Sequence, residues 1–261
     1  MKIFLITDIH YGLNTNYKAR GGPDHVNQYG ELVSDFKNKI QHSMNECDLI
    51  INMGDLIHQT KSKEEDVILY KEAIEILSGG KPIKHVIGNH DLVNLNRNDI
   101  TKIIGEDKIY YSFDFGGYHH VVIDGNREEG KVSPEPFLFS DDQINWLEDD
   151  LNKTSLKTVV YCHFPIYEQD VSKNIYFKEA ARERITPLKS EKIRNVFEKS
   201  GKVLAVFNGH THFKDHENIN GVDYFTVGSF SENDGADRPT TEYAVVTIDN
   251  DKLQIAHKRL I

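Results

Sequence analysis

Five short apolar runs in this chain each end in side chains that bind metals, and that coupling constrains the fold more than any other feature. Lys2-Ile3-Phe4-Leu5-Ile6 leads into Asp8-Ile9-His10, Leu49-Ile50-Ile51-Asn52-Met53 into Gly54-Asp55, and Pro82-Ile83-Lys84-His85-Val86-Ile87 into Gly88-Asn89-His90-Asp91. Thr158-Val159-Val160-Tyr161-Cys162 leads into His163, and Val203-Leu204-Ala205-Val206-Phe207 into Gly209-His210-Thr211-His212. Nearly continuous hydrophobic runs of this length read as strands buried on both faces. In open α/β sheets, ligands gather beyond the carboxyl ends of strands. Asp8 and His10, two apart on an extended backbone, would point the same way. The glycines before Asp55, Asn89 and His210 fit turns where the backbone approaches a ligand closely. Carboxylate, imidazole and amide groups in this mixture suit two adjacent divalent cations of borderline softness.

Taken in order, the motifs resemble the signature of the calcineurin-like metallophosphoesterases, D-x-H, G-D, G-N-H-[D/E], H and G-H-x-H, from Asp8 to His212. Tyr110-Tyr111-Ser112-Phe113-Asp114-Phe115-Gly116 resembles the strand-and-turn segment that follows the third motif in many members. Ser140-Asp141-Asp142-Gln143-Ile144-Asn145-Trp146-Leu147 resembles the helix further on. The resemblance implies an α/β fold: a two-sheet β-sandwich flanked by helices, layered α/β/β/α, with residues 1–261 as a single domain. It implies one metal at Asp8, His10 and His212, another at Asn89, His163 and His210, and Asp55 as the bridge. A carboxylate suits that place because it is anionic and offers two oxygens. A hydroxide bridging the metals would attack phosphorus in line while the cations stabilise the developing charge. His90 matches the family's non-ligand histidine, which faces the leaving oxygen, and Asp91 is then placed to orient its imidazole.

The purple acid phosphatase branch has glycine where this chain has His10, and a tyrosine ligand shortly after the Gly-Asp pair. Leu56-Ile57-His58 follows here, which disfavours an iron–tyrosinate site. The Asp-x-His opening instead resembles bacterial cyclic-nucleotide and glycerophosphodiester phosphodiesterases, nucleotidases and repair nucleases. The leading expectation is hydrolysis of a small phosphodiester. A phosphomonoesterase, nucleotidase or protein phosphatase would use the same site; a non-catalytic scaffold ranks lower because every ligand position is filled, and a nuclease because the chain is acidic. The donor set admits manganese, iron, zinc, cobalt or nickel, with manganese or iron first.

Composition bears on the substrate. Lys+Arg number 31 against 41 Asp+Glu, a formal net charge of −10, so the chain lacks the basic footprint of proteins that grip long nucleic acid. A small phosphorylated partner is favoured. No apolar stretch is long enough to span a bilayer, and the first strand reaches Asp8 with no room for a cleavable leader. Cys47 and Cys162 read as small buried hydrophobes, not a disulfide. The expectation is a cytoplasmic enzyme without membrane contact, with oligomeric state open.

Between the motifs, residues 31–46 place Leu32, Val33, Phe36, Ile40 and Met44 at helical spacing. Residues 64–77 do likewise before a Gly79-Gly80 stop. Ser140 with Gln143 is a capping-box pattern, and residues 222–227, 242–248 and 252–257 read as strands. Substrate contacts are expected from Asn89 and His90 and from two connecting segments. Arg20 lies in the polar stretch 11–29, and Tyr167 lies in 166–189 with Phe177, Arg182 and Arg184. Guanidinium forks fit phosphate and aromatic rings stack on bases. His58 reads as a loop or helix-end residue, His119 and His120 as core or edge packing, and Asp215 and His216 as solvated loop.

Overall fold

Alternate residues of β1 (Lys2–Ile6) serve two different cores. Ile3 and Leu5 pack with Val122, Tyr161, Phe207 and Val246, whereas Phe4 and Ile6 pack with Ile50, Tyr70 and Leu77. A strand apolar at every position therefore lies between two layers, as period-two side-chain alternation requires. The computed structural model describes residues 1–12, 40–128, 135–172, 174, 177–231 and 240–260.

The first sheet has the order β11-β10-β1-β2-β3. Here β2 is Leu49–Asn52, β3 is Ile83–His85, β10 is Glu242–Asp249 and β11 is Lys252–Arg259. β1 runs parallel to β2 and antiparallel to β10. The second sheet has the order β4-β5-β6-β7-β9-β8: β4 Tyr111–Phe115, β5 Tyr118–Ile123, β6 Thr158–Cys162, β7 Val203–Asn208, β8 Asp215–Ile219 and β9 Val222–Thr226. Its inner face meets the first sheet. Its outer face packs on α3 (Asp141–Lys153) and α4 (Ser190–Ser200) through Leu147, Leu151, Ile193 and Phe197. The outer face of the first sheet packs on α1 (Lys63–Ser78), with α2 (Arg97–Ile104) contributing Ile100. The expected four layers result.

Local signals set the helix ends. Ser62 Oγ accepts from Glu65 N–H at the start of α1, and Gly79 closes it with φ 48°, the left-handed cap that glycine supplies. Only half of the anticipated capping box forms on α3. Ser140 Oγ accepts from Gln143 N–H, but the Gln143 side chain turns inward to Asp124 N–H and O at 2.7 and 2.8 Å. Of the helix expected over 31–46, residues 40–45 are helical and the remainder lies outside the described residues. Asp215 and His216, read as solvated loop, instead open β8, whose alternation is too polar to signal a strand. His216 stacks on Phe225 at 4.3 Å. It ends a row of one ring per strand, Phe113, His120, Tyr161, Phe207, Phe225 and His216, across the whole second sheet.

His119 and His120 face opposite sides of β5, as adjacent strand residues must. His120 is enclosed, with ring nitrogens 3.0 Å from Tyr161 Oη and 3.1 Å from Phe115 O. His119 lies between Asp114 Oδ1 at 2.6 Å and Asp150 Oδ2 at 2.9 Å. Burial opposes charge on this ring, but the two carboxylates outweigh it and raise its pKa above 6.5. A raised histidine pKa contributes stability that is complete below the unfolded value and is lost as pH rises through the folded one. His119→Gln should therefore cost about 1 kcal/mol at pH 6 and less at pH 9, read from urea unfolding. An equal loss at both pH values would contradict a charged His119.

Candidate metal centre

Every motif-bearing strand except β6 passes its motif to one cleft through a strained or glycine-dependent turn. The N–H groups of Asp8 and His10 donate to Gly54 O and Asp55 O, both at 3.0 Å, so main chain laces the first two turns together. Asp8 (φ 53°), His10 (50°), Asp55 (50°), His210 (69°) and His212 (63°) all adopt left-handed backbone. Such a conformation costs a side-chain-bearing residue on the order of 1–3 kcal/mol, so strain is concentrated here. Two glycines are dictated by close approach. A Cβ on Gly54 would lie 2.6 Å from His163 Nδ1, and one on Gly88 would collide with the Asp55 carboxylate.

The ligand atoms converge as three clusters within 4.8 Å: Asp8, His10 and His212; Asp55, His163 and His210; and His10, His58 and His90. Asp55 Oδ2 lies 3.4 Å from His163 Nε2 and 3.9 Å from His10 Nε2, so it stands between the first two. Asp8 Oδ1 lies 3.1 Å from His212 Nε2. Hydrogen bonds outside the clusters fix which atoms face in. His163 Nδ1–H donates to Met53 O at 3.0 Å, leaving Nε2 bare, and His210 Nε2–H donates to Arg184 O at 2.9 Å, leaving Nδ1. Asp8 Oδ2 accepts from Thr7 Oγ1 and His210 N–H. Asp8 Oδ1, Asn89 Oδ1 and His163 Nε2 remain buried without a hydrogen-bond partner. Orphaned buried acceptors are costly, and those of Asp8 and His163, both inside the clusters, fit cations held by carboxylate and imidazole.

Electrostatics agree. Burial favours neutral carboxyls, but nearby imidazoles outweigh it and hold Asp8 and Asp55 well below the usual carboxylate range. Burial pushes the other way on the histidines: His10 and His90 fall below their ordinary value, His58 to about 4 and His210 to about 3. His163 is the exception. Burial lowers it too, yet Asp55 and Asp8 prevail and raise it to about 9. Two buried carboxylates demand positive charge, and a proton on His163 occupies the place a cation would take.

Asp8, His10, Asp55, His163, His210 and His212 are thus brought together, with His90 beside them and Asn89 preceding it in the chain. Asp91 does not orient His90. Its carboxylate accepts from Ile57 N–H at 3.2 Å and Gly88 N–H at 2.9 Å, bracing the two loops beneath the site. The partner of His90 Nδ1 is Gln59 Oε1 at 2.6 Å. His58, read as a loop residue, faces the cleft, stacked on His90 at 4.9 Å and 5.5 Å from His10. Gln59 had no motif signal, since only the path of residues 56–60 over His90 reveals it. That path is pinned by buried Asp66, which accepts from Thr60 N–H and Asn94 Nδ2. Tyr167, expected as a substrate contact, is 1% exposed, and its hydroxyl donates to Asp215 Oδ2 at 2.9 Å. It is a core residue. Arg20 lies outside the described residues.

The profile of the calcineurin-like phosphoesterases matches residues 1–214, and the chain belongs to that family. It is 26% identical over 223 residues to purple acid phosphatase 21 of Arabidopsis thaliana, covering 71% of this chain and 46% of that protein. It is 37% identical over 82 residues to the manganese-dependent ADP-ribose/CDP-alcohol diphosphatase of the same plant, covering 29% of this chain and 26% of that protein. The chain spans less than half the length of these curated relatives. The fold is similar to that of a dimetal phosphatase from Danio rerio, with TM-score 0.77, 17% identity and coverage of 100% of this chain and 96% of the other.

If His163 carries a proton at pH 7, binding of Mn²⁺ to the metal-stripped protein should release it, and apparent affinity should rise between pH 6 and 8. Asp55→Asn should weaken binding roughly tenfold or more. Calorimetry in two buffers of different ionisation enthalpy reads both. Metal uptake without proton release, or undiminished affinity in the variant, would contradict this arrangement.

Proposed function

We propose that the chain is a dinuclear-metal phosphoesterase that hydrolyses a small phosphodiester of the cyclic-nucleotide or glycerophosphodiester class. The observation that carries this reading is Asp55 Oδ2 standing between the His163 and His10 ring nitrogens, with His90 alongside. Asp8, His10 and His212 would hold one cation, and Asn89, His163 and His210 the other, with Asp55 shared. Two divalent cations, manganese or iron ahead of zinc, cobalt or nickel, would acidify a water and neutralise phosphate oxygens.

The chain's own groups do the remaining work. Gln59 Oε1 accepts from His90 Nδ1–H, which leaves Nε2 as the atom that gives a proton to the departing oxygen. Burial lowers the His90 pKa and Asp55 opposes that effect, so the protonated ring is a stronger acid than an exposed histidine. The stack with His58 restrains its rotation. Asp91 and the N–H of His90 to Asp55 Oδ1, at 2.7 Å, fix the loop relative to the shared carboxylate. A net charge of −10 favours a small substrate over long nucleic acid. Among the described residues no helix is long and apolar enough to cross a membrane. Free, buried Cys47 and Cys162 suit a reducing compartment such as the cytoplasm.

A phosphomonoesterase is the second reading, supported by the phosphatase names of the Arabidopsis and Danio proteins. The manganese-loaded protein should turn over bis-p-nitrophenyl phosphate faster than p-nitrophenyl phosphate, with a chelated control inactive. The reverse order moves the assignment to a monoesterase, and no metal-dependent turnover on either removes the enzyme reading. His90→Asn should lower kcat by roughly 10²–10⁴-fold and Gln59→Leu by about tenfold, both with unchanged metal content. Undiminished turnover in His90→Asn would overturn its role as acid.

A further inference from the structure

The cluster of His10, His58 and His90 contains no carboxylate, and the two-cation assignment leaves His58 without a metal. Its rings stand on separate segments, each held by main chain. His58 N–H donates to Tyr11 O at 3.0 Å and Tyr11 N–H to Leu56 O at 2.9 Å, so the segments bearing His10 and His58 are paired directly. His90 N–H donates to Asp55 Oδ1 at 2.7 Å, and Gln59 Oε1 accepts from its Nδ1–H at 2.6 Å, which leaves Nε2 as its ligand atom. The rings of His10 and His90 meet edge-on at 4.7 Å, and that of His58 lies 4.9 Å from His90 and 5.5 Å from His10. His10 and His58 are both buried.

His10 belongs both to this cluster and to that of Asp8 and His212. A neutral imidazole offers one nitrogen lone pair, so the ring serves one cation at a time. Ligand histidines are ordinarily committed by a hydrogen bond from the other nitrogen. His163 and His210 have that bond, to Met53 O and Arg184 O. His10 lacks it, since its Nδ1 is buried with no hydrogen-bond partner among the described residues. No outer acceptor therefore ties its lone pair to one cluster. The two clusters also differ in donor chemistry. A set with a carboxylate suits manganese, whereas an imidazole-only set suits zinc, copper or nickel. Buried Asp8 and Asp55 demand positive charge, so the carboxylate-bearing clusters fill first.

We propose that His10, His58 and His90 form an alternative, inhibitory zinc site. Zinc in excess of that needed to fill the centre is seated there, withdraws His10 from the cation beside Asp8 and His212, and occupies Nε2 of His90. The inhibition rests on the phosphoesterase reading, whereas the binding does not. Zinc is titrated into metal-stripped, isotope-labelled protein while NMR follows the imidazole nitrogens, with His58 assigned by the loss of its signals in His58→Phe. Early zinc should shift the ring nitrogens of His163 and His210, and further zinc those of His58 and His90. A His58 ring that stays unshifted throughout would overturn the site. In parallel, zinc is added to the manganese-loaded enzyme turning over bis-p-nitrophenyl phosphate. His58→Phe keeps a ring against His90 but removes the ligand nitrogen. Its zinc concentration for half-inhibition, measured against its own rate without zinc, should rise about tenfold or more. Equal zinc sensitivity in both proteins would mean exchange at the centre itself and would also overturn the site. His58→Gln serves both purposes if His58→Phe does not fold. If the wild type turns over no phosphoester, the phosphoesterase reading fails by itself, and the ring spectra alone decide the zinc site.

Discussion

A buried carboxylate that cannot be left alone organises this molecule. Asp55 is 1% exposed and surrounded by His163, His10 and the His90 N–H. Desolvating an anion is expensive unless opposite charge and hydrogen bonds replace the lost water. Every neighbouring feature answers that demand. Gly88 has no Cβ because Asp55 occupies the space, and His163 is raised to about 9 because Asp55 and Asp8 need a cation nearby. The backbone of Asp55 is itself left-handed so that its side chain can reach the point between two clusters.

The sandwich makes this tolerable. Strained residues persist only where surrounding structure over-determines them, and here the turns are anchored on strands with cores on both faces. Hydrogen bonds between loops close the frame: Asp8 to Gly54, His10 to Asp55, Gly209 to His163, and Phe230 to Thr7. Asp91 and Asp66 add buried carboxylates whose work is to hold loop backbone. Buried Asp8 and Asp55 thus face the cleft, whereas buried Asp91 and Asp66 brace the loops beneath it. Position in the fold, not residue type, separates the two.

The periphery follows a different logic. His58 and Gln59 reach the cleft from a connecting segment, where nothing in the local pattern fixes side-chain direction. Such segments commonly carry selectivity, since they can vary without disturbing the strands. Tyr167 is the converse case. It stands four residues after His163, yet it lies in the core with its hydroxyl on Asp215.

By itself the sequence determined the strand-and-turn units and the side chains they carry. Period-two burial and tight turns are local, and Asp8, Asp55, Asn89, His163 and His210 each follow an apolar run within a few residues. It also determined α1 and α3, whose stop at Gly79 and cap at Ser140 are read within one turn. Tertiary structure decided the rest. Whether Asp91 or Gln59 meets His90, whether His58 faces the cleft, and whether Asp215 begins a strand depend on contacts between segments far apart in the chain. Pairing of β8 with β9 overrides the polar character of residues 215–219, and the Asp66 anchor sets the course of the loop over His90.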